Sequence, residues 1–225
     1  MSSLIENLLF TYIGRFIIPF SIIIMYICRM ENVKIEKHLL EPFLPNNSKI
    51  LFLGSFPPQK KRWSMDFFYP NFQNDMWKIM GLIFFENKEY FIVPFEKRFN
   101  KELIVDFCLE KGFAFYDTAT EVRRLNDNAS DKYLEIVTPT DVKELLLKIP
   151  QCSVVVTTGQ KATEIIVEQF KCNEPSIGNM TEFQIDNRMI HFWRMPSTSR
   201  AYPISIEKKS EFYRKMFVEE LWNRT

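Results

Sequence analysis

The sequence predicts an α/β fold, a three-layer sandwich with a central, mainly parallel four-stranded sheet and helices on both faces. Two observations lead to this prediction. The four candidate strands are short, continuous apolar runs rather than alternating ones, which is typical of strands buried on both sides. Segments with helical periodicity separate most of these runs, as they do in parallel sheets.

In the first half of the domain, the sequence predicts two strands and two helices. Residues 49–56 form an apolar run after the turn-forming segment 45–48, which indicates a buried strand. Residues 74–82 have the apolar spacing of a short helix, and residues 96–111 that of a longer amphipathic helix. Residues 112–116 are the second predicted strand.

The second half predicts a similar alternation. Residues 141–148 form a helix that Thr140 or Asp141 caps and Pro150 ends. The third strand is predicted at residues 153–157 and the fourth at 189–194. Two further helices are expected, the first after the third strand and the second closing the chain, at residues 161–170 and 206–222.

Ligands bind at the carboxyl ends of strands in such sheets. The segments after Phe56, Thr157 and Met195, together with the region around Asp117, are therefore expected to lie close together. Any chemistry of this chain is predicted at that edge.

Composition excludes several classes of function. The chain has 225 residues with a net charge of +1, so nucleic-acid contact would depend on a local patch rather than on overall charge. Its six glycines are so widely spaced that no two are closer than Gly159 and Gly178. Dinucleotide-binding loops, phosphate-binding Walker loops and G-x-S-x-G nucleophile elbows are therefore excluded.

The cysteines and histidines indicate a protein without a metal site or a cofactor. The four cysteines share no C-x-x-C spacing, and there are two histidines, His38 and His191. Scattered cysteines of this kind are typical of a reducing compartment, which predicts a cytoplasmic location.

The first 29 residues differ from the rest and form a hydrophobic N-terminal segment, whereas residues 30–225 read as one domain. Residues 16–28 carry no charge, but Arg15 and Pro19 limit the apolar stretch. Three interpretations remain open: translation upstream of a working start at Met30, a weak membrane anchor through residues 8–28, or an unusual signal sequence. We favour the first.

Residues 54–74 connect the first predicted strand to the first predicted helix, and this loop is unusually long for such a connection. Lys60, Lys61 and Arg62 supply consecutive positive charges, and several aromatic residues follow. Such a loop can bind a nucleic-acid phosphate and stack on a base. Alternatively, the aromatic side chains pack into the core and the basic ones are solvated.

Residues 195–203 form a second candidate loop, directly after the fourth strand. The small hydroxyl residues Ser197, Thr198 and Ser199 allow close approach of a ligand to the backbone, and Arg200 can reach a phosphate.

In their order along the chain, these segments resemble the uracil-DNA glycosylase superfamily. The resemblance is nearest to its hypoxanthine-DNA and mismatch-specific branches and covers about residues 48–218. The motifs that carry it are Gly54-Ser55-Phe56-Pro57, Tyr69-Pro70, Asn74-Asp75-Met76-Trp77, Gly112 to Asp117, Thr158-Gly159 and Pro196-Ser197-Thr198-Ser199.

The resemblance implies a base-excision repair enzyme that hydrolyses the N-glycosidic bond of a flipped uracil or hypoxanthine in DNA, without metal or cofactor. Its implied catalytic residue is Asn74, which can orient water, and Asp66 is a second candidate as a water-activating carboxylate. The expected base contacts are Gly54, Ser55, Phe56, Phe68, Tyr69 and Asp117. The expected DNA-backbone contacts are Lys60, Lys61, Arg62, Ser197, Thr198, Ser199 and Arg200.

The chain departs from the family pattern at several positions. Phe56 stands where mismatch-specific members often have a catalytic Asn, Met195 where uracil-specific members have a His, and Tyr69 where the hypoxanthine branch has a His. The Asp that activates water in the main uracil branch is missing from its place. Phe56, Met195 and the missing Asp favour an alternative, a nucleic-acid-binding module that has this fold but no catalysis.

Simpler roles also stay open for the polar candidates. Asn74 can cap the following helix, Asp66 can be a solvated loop residue, and Asp117 can cap a turn.

Overall fold

The computed structural model of the protein describes residues 10–13, 16–19, 34–125 and 133–222. In these ranges the strands are β1 (Phe10–Ile13), β2 (Phe16–Pro19), β3 (Ile35–Lys37), β4 (Ile50–Gly54), β5 (Phe113–Asp117), β6 (Ala119–Arg124), β7 (Leu134–Pro139), β8 (Val154–Thr158), β9 (Asn179–Ile185) and β10 (Arg188–Met195). The α-helices are α1 (Met76–Phe85), α2 (Lys101–Lys111), α3 (Val142–Lys148), α4 (Gln160–Phe170) and α5 (Ile206–Phe217).

The main sheet has the strand order β5-β4-β8-β10-β9. Strands β5, β4, β8 and β10 run parallel to one another. Every residue of β4, β5 and β8 is buried, because helices or neighbouring segments cover both of their faces. The mixed α/β fold expected from the continuous apolar runs is therefore confirmed.

The predicted strand count was wrong, because the sheet has five strands rather than four. The additional strand, β9, pairs antiparallel with β10 through a tight turn at Asp186, whose φ is +50°. Its sequence alternates polar with apolar residues, and only Phe183 and Ile185 are buried. A half-exposed edge strand of this kind lacks the apolar run by which the other strands were recognised.

Helices pack against both faces of the main sheet. On one face, Phe115 lies 5.4 Å from the ring of Trp77 in α1. Phe52 of β4 is aligned with both Phe115 of β5 and Val156 of β8, so Val156 points to the same face as Phe115. The next residue, Thr157, therefore points to the opposite face. There the Thr157 hydroxyl lies 2.8 Å from that of Thr163 in α4. The three-layer arrangement follows from these contacts.

Three helices differ from their predicted bounds by more than one residue. Helix α1 spans Met76–Phe85 rather than residues 74–82. Helix α2 begins at Lys101 rather than at residue 96, because the Asn100 side chain caps it by accepting the Leu103 N–H. Helix α5 ends at Phe217, and a short π-helical segment, Val218–Trp222, continues it.

A second, antiparallel sheet has the order β3-β6-β7 and was not predicted. Its strand β6 follows β5 directly, and Ala119, Val122 and Leu134 are buried in a small separate core. Arg124 of this sheet pairs with Glu36 and donates to the carbonyl of Pro57 at 3.2 Å. The small sheet thereby holds the loop that follows β4.

Part of the N-terminal hydrophobic segment is described. Strands β1 and β2 pair antiparallel there, and the remainder of residues 1–29 lies outside the described residues. In the described part of the chain, no helix has the length and apolar composition needed to cross a membrane.

Candidate active site

A cleft of about 520 Å³ opens at the carboxyl ends of the parallel strands. Residues 54–58 after β4 and residues 197–203 after β10 line it, together with Asp117 at the end of β5 and Thr158 at the end of β8. Residues 68–71, 73 and 74 of the long loop also line the cleft. The cleft therefore combines segments that lie far apart in the sequence, at the sheet edge where a ligand site was expected.

Gly54 allows the floor of the cleft to form. It is aligned with Asp117 across β4 and β5, and a Cβ at position 54 would collide with Oδ1 of Asp117. The same Cβ would lie 3.5 Å from the hydroxyl oxygen of Tyr69. Glycine is needed here because of this close approach, not because of an unusual backbone angle.

Asp117 is held from behind by His38, a residue that sequence reasoning assigned to no site. His38 Nε2 lies 2.9 Å from Asp117 Oδ2, and the two side chains are 3% and 10% exposed. The His38 backbone N–H donates to Thr120 of β6, so the small sheet fixes this position. The two residues are 79 positions apart, and no sequence spacing indicates their contact.

Tyr69 and Phe68 form one wall of the cleft. Tyr69 has a φ of +51°, and its hydroxyl lies 2.8 Å from that of Thr158. Phe68 is almost completely buried and stacks near Phe115 with ring centroids 6.0 Å apart. These aromatic residues of the long loop therefore pack into the core and also face the cleft. Core packing of the loop is thus compatible with the predicted stacking on a base.

Asn74 lines the cleft immediately before α1. Its Oδ1 accepts the Met76 N–H at 2.9 Å, a local turn at the helix start. Among the described residues, its Nδ2 has no hydrogen-bond partner. The N-cap residue of α1 is Asp75, whose side chain makes no capping hydrogen bond, so Asn74 forms a turn next to the helix start and lines the cleft.

Asp66 lies outside the residues that line the cleft. It is exposed and forms an ion pair with Lys60. The hydrogen bond and the charge of Lys60 lower the pKa of the Asp66 carboxyl, which therefore stays ionised. These contacts are those of a solvated loop residue, so Asp66 is not in a position to activate water in the cleft.

The basic segment Lys60–Arg62 forms an exposed 3-10 turn. Arg62 lines the cleft, whereas Lys60 and Lys61 are not among its lining residues. Lys60 Nζ lies 4.1 Å from the ring centre of Trp63, a cation–π contact that holds the turn. Positive charge is thus present at one rim of the cleft.

The loop after β10 is tied to the start of α1. Thr198 accepts the backbone N–H of Asp75 at 2.9 Å. The fully buried Lys209 of α5 donates to Asp75 Oδ2 and to the Ser199 carbonyl, both at 2.8 Å. Because Asp75 adjoins Asn74, this pair fixes the loop and Asn74 relative to each other. Arg200 is exposed at the rim.

Neither the family models nor the curated proteins include a match to this chain. Among solved structures, the chain is similar to the solution NMR structure of a protein from Methanosarcina acetivorans described as a "putative Uracil DNA glycosylase". The TM-score is 0.54 at 17% sequence identity, over 80% of this chain and 98% of the other. At this identity the likeness shows a shared fold, and both the superfamily and its branch stay predictions.

Proposed function

We propose that the protein is a DNA glycosylase that hydrolyses the N-glycosidic bond of a flipped uracil or hypoxanthine, without a metal ion or cofactor. One observation carries this proposal. Motifs that resemble those of the uracil-DNA glycosylase superfamily are distant in sequence, yet they lie around one cleft at the carboxyl edge of the sheet. The shared fold supports the same proposal.

The proposed base pocket lies between Tyr69 and Asp117. A base inside a duplex is inaccessible, so the nucleotide must rotate out of the stack into a pocket. The Tyr69 ring and the edge of Phe68 offer apolar surface for the flipped base. Gly54 leaves space beneath it, and Asp117 Oδ1 can accept a hydrogen bond from its edge.

The proposed reaction breaks the bond between C1′ of deoxyribose and the base nitrogen, and the bonding electron pair leaves with the base. A water oxygen forms the new bond to C1′, and a water proton passes to the departing base through solvent. The products are a free base and an abasic sugar. Asn74 would orient the water, since its Oδ1 has a second lone pair and its Nδ2 can donate.

DNA binding is assigned to the rim of the cleft. Arg62 and Arg200 both line the cleft, are exposed and can each bind a phosphate. Ser197, Thr198 and Ser199 would contact the backbone of the strand next to the flipped nucleotide. Lys60 and Lys61 would act at longer range, by raising the local positive potential.

The proposal is tested with oligonucleotides that carry a single uracil or hypoxanthine. We expect the purified protein to produce abasic sites, which hot alkali converts into strand breaks at the lesion. The undamaged oligonucleotide is the matched control. Absence of strand breaks with both lesions, although the same DNA is bound, would refute catalysis.

The second candidate is a nucleic-acid-binding module without catalysis. Two observations favour it. Asp66 lies outside the cleft lining, and Phe56 and the buried Met195 stand where other branches have catalytic side chains. This candidate predicts lesion-dependent binding without release of a base, so the excision assay separates the two functions.

A further inference from the structure

Asp117 presents its two carboxylate oxygens to different surroundings. Oδ2 is bonded to His38 on the buried side. Oδ1 lies over Gly54 at the floor of the cleft, and within the described residues it has no hydrogen-bond partner. A ligand in the cleft therefore meets one oxygen of a carboxyl group whose other oxygen is already engaged.

His38 leaves this open oxygen as a hydrogen-bond acceptor in either tautomer of its ring. His38 Nδ1 lies 2.8 Å from the carbonyl oxygen of Leu40, which suits an Nδ1–H donor, and 3.1 Å from the backbone nitrogen of Leu40, whose N–H donates to an unprotonated Nδ1. If Nε2 carries a proton, it donates to Oδ2 of the ionised Asp117 carboxylate. If Nε2 carries none, a proton on Oδ2 is donated to Nε2. In both arrangements Oδ1 keeps free lone pairs and has no hydrogen to donate.

The His38 ring is itself fixed. Its centroid lies 4.7 Å from that of Tyr116 and 5.4 Å from that of Phe56, and its side chain is almost fully buried. A fixed His38 ring thus sets the direction in which the Asp117 carboxyl group points Oδ1.

An acceptor at this place distinguishes deaminated bases from their parents. Deamination converts the ring-nitrogen acceptor of cytosine (N3) or adenine (N1) into the ring N–H of uracil or hypoxanthine. An acceptor attracts the N–H and repels the lone pair. Guanine and thymine also have a ring N–H, so this contact alone does not reject them.

Resting on the function proposed above, we infer that His38 is a positioning residue that keeps Asp117 Oδ1 an obligate acceptor. The site is thereby selective for bases with a lactam or imide N–H, and one contact serves both the pyrimidine and the purine deamination product.

The test measures binding rather than catalysis. Single-stranded oligonucleotides carry one 2′-fluoro nucleotide, which resists glycosidic cleavage, with uracil or cytosine, or hypoxanthine or adenine, as the base. We expect the wild-type protein to prefer the deaminated base by about 10- to 100-fold, the discrimination of one good base contact. Fluorescence anisotropy gives each dissociation constant.

The variants isolate His38. His38→Phe keeps the ring but removes both nitrogens, and we expect the preference to fall to within about threefold of unity, because the Asp117 carboxyl is then free to rotate. His38→Gln retains a donor to Oδ2 and should restore most of the preference. His191→Gln is the matched control, because His191 lies outside the cleft lining and bonds Glu220.

A preference that survives in a folded His38→Phe protein would overturn the inference, as would no preference in the wild type. Preference without excision would contradict only the proposed catalysis.

Discussion

Asn74 combines two roles that a simple alanine substitution would remove together. Its Oδ1 bonds the Met76 N–H at the start of α1, and the residue also lines the cleft. Asn74→Asp separates these roles, because the carboxylate still accepts the N–H but has no amide donor.

We therefore expect Asn74→Ala and Asn74→Asp to lower single-turnover excision by about 100-fold or more, the scale of a lost group that positions the nucleophile. The affinity for lesion-containing DNA should change by less than about threefold. Loss of the hydrogen bond to the Met76 N–H should cost about 1 kcal/mol of stability in Asn74→Ala, whereas Asn74→Asp keeps this bond. Excision at the wild-type rate in Asn74→Asp would remove the amide from the mechanism.

At the scale of elements, the ion pair between Asp75 and Lys209 joins α1, α5 and the loop after β10. Both side chains are buried, at 6% and 0% exposure, so removal of one partner leaves the other charge without compensation.

We expect Lys209→Met to lower the free energy of unfolding by about 3–5 kcal/mol in urea denaturation. The double variant Asp75→Asn with Lys209→Met should recover part of this loss, since it removes both charges. Lys208→Met is the control: its exposed pair with Glu211 contributes at most about 1 kcal/mol. Equal stabilities of the Lys208→Met and Lys209→Met proteins would contradict the structural role.

The sequence predicts elements better than it predicts contacts between them. Strands β4 and β8 were recognised because both of their faces are apolar. Lys209 resembles any lysine of an amphipathic helix, and its partner Asp75 is 134 positions away. His38 and Asp117 pose the same difficulty. Such pairs depend on the three-dimensional path of the chain, which local patterns do not encode.

At the scale of the whole molecule, burial of neutral acids predicts sensitivity to alkaline pH. Burial raises the pKa of Tyr116 and of Cys152 to about 12, and it also raises the pKa of Cys108 and Tyr213. These groups are neutral when protonated, so the folded protein retains their protons to higher pH than the unfolded chain does.

Their contribution to stability is complete below about pH 9 and is lost as the pH rises towards about 12, through their folded pKa values. Urea denaturation should therefore give a smaller free energy of unfolding at about pH 11 than at about pH 8. Tyr116→Phe should show a shallower decrease. Equal unfolding free energies at the two pH values would contradict the assignment.

The most direct test of the proposed glycosylase is the release of free base under single-turnover conditions, measured by mass spectrometry with uracil- and hypoxanthine-containing DNA. We predict free uracil, free hypoxanthine or both from the wild-type protein, in equal amount to the abasic sites formed, and at least tenfold less from Asn74→Asp. DNA that is bound but yields no free base with either lesion would contradict the account.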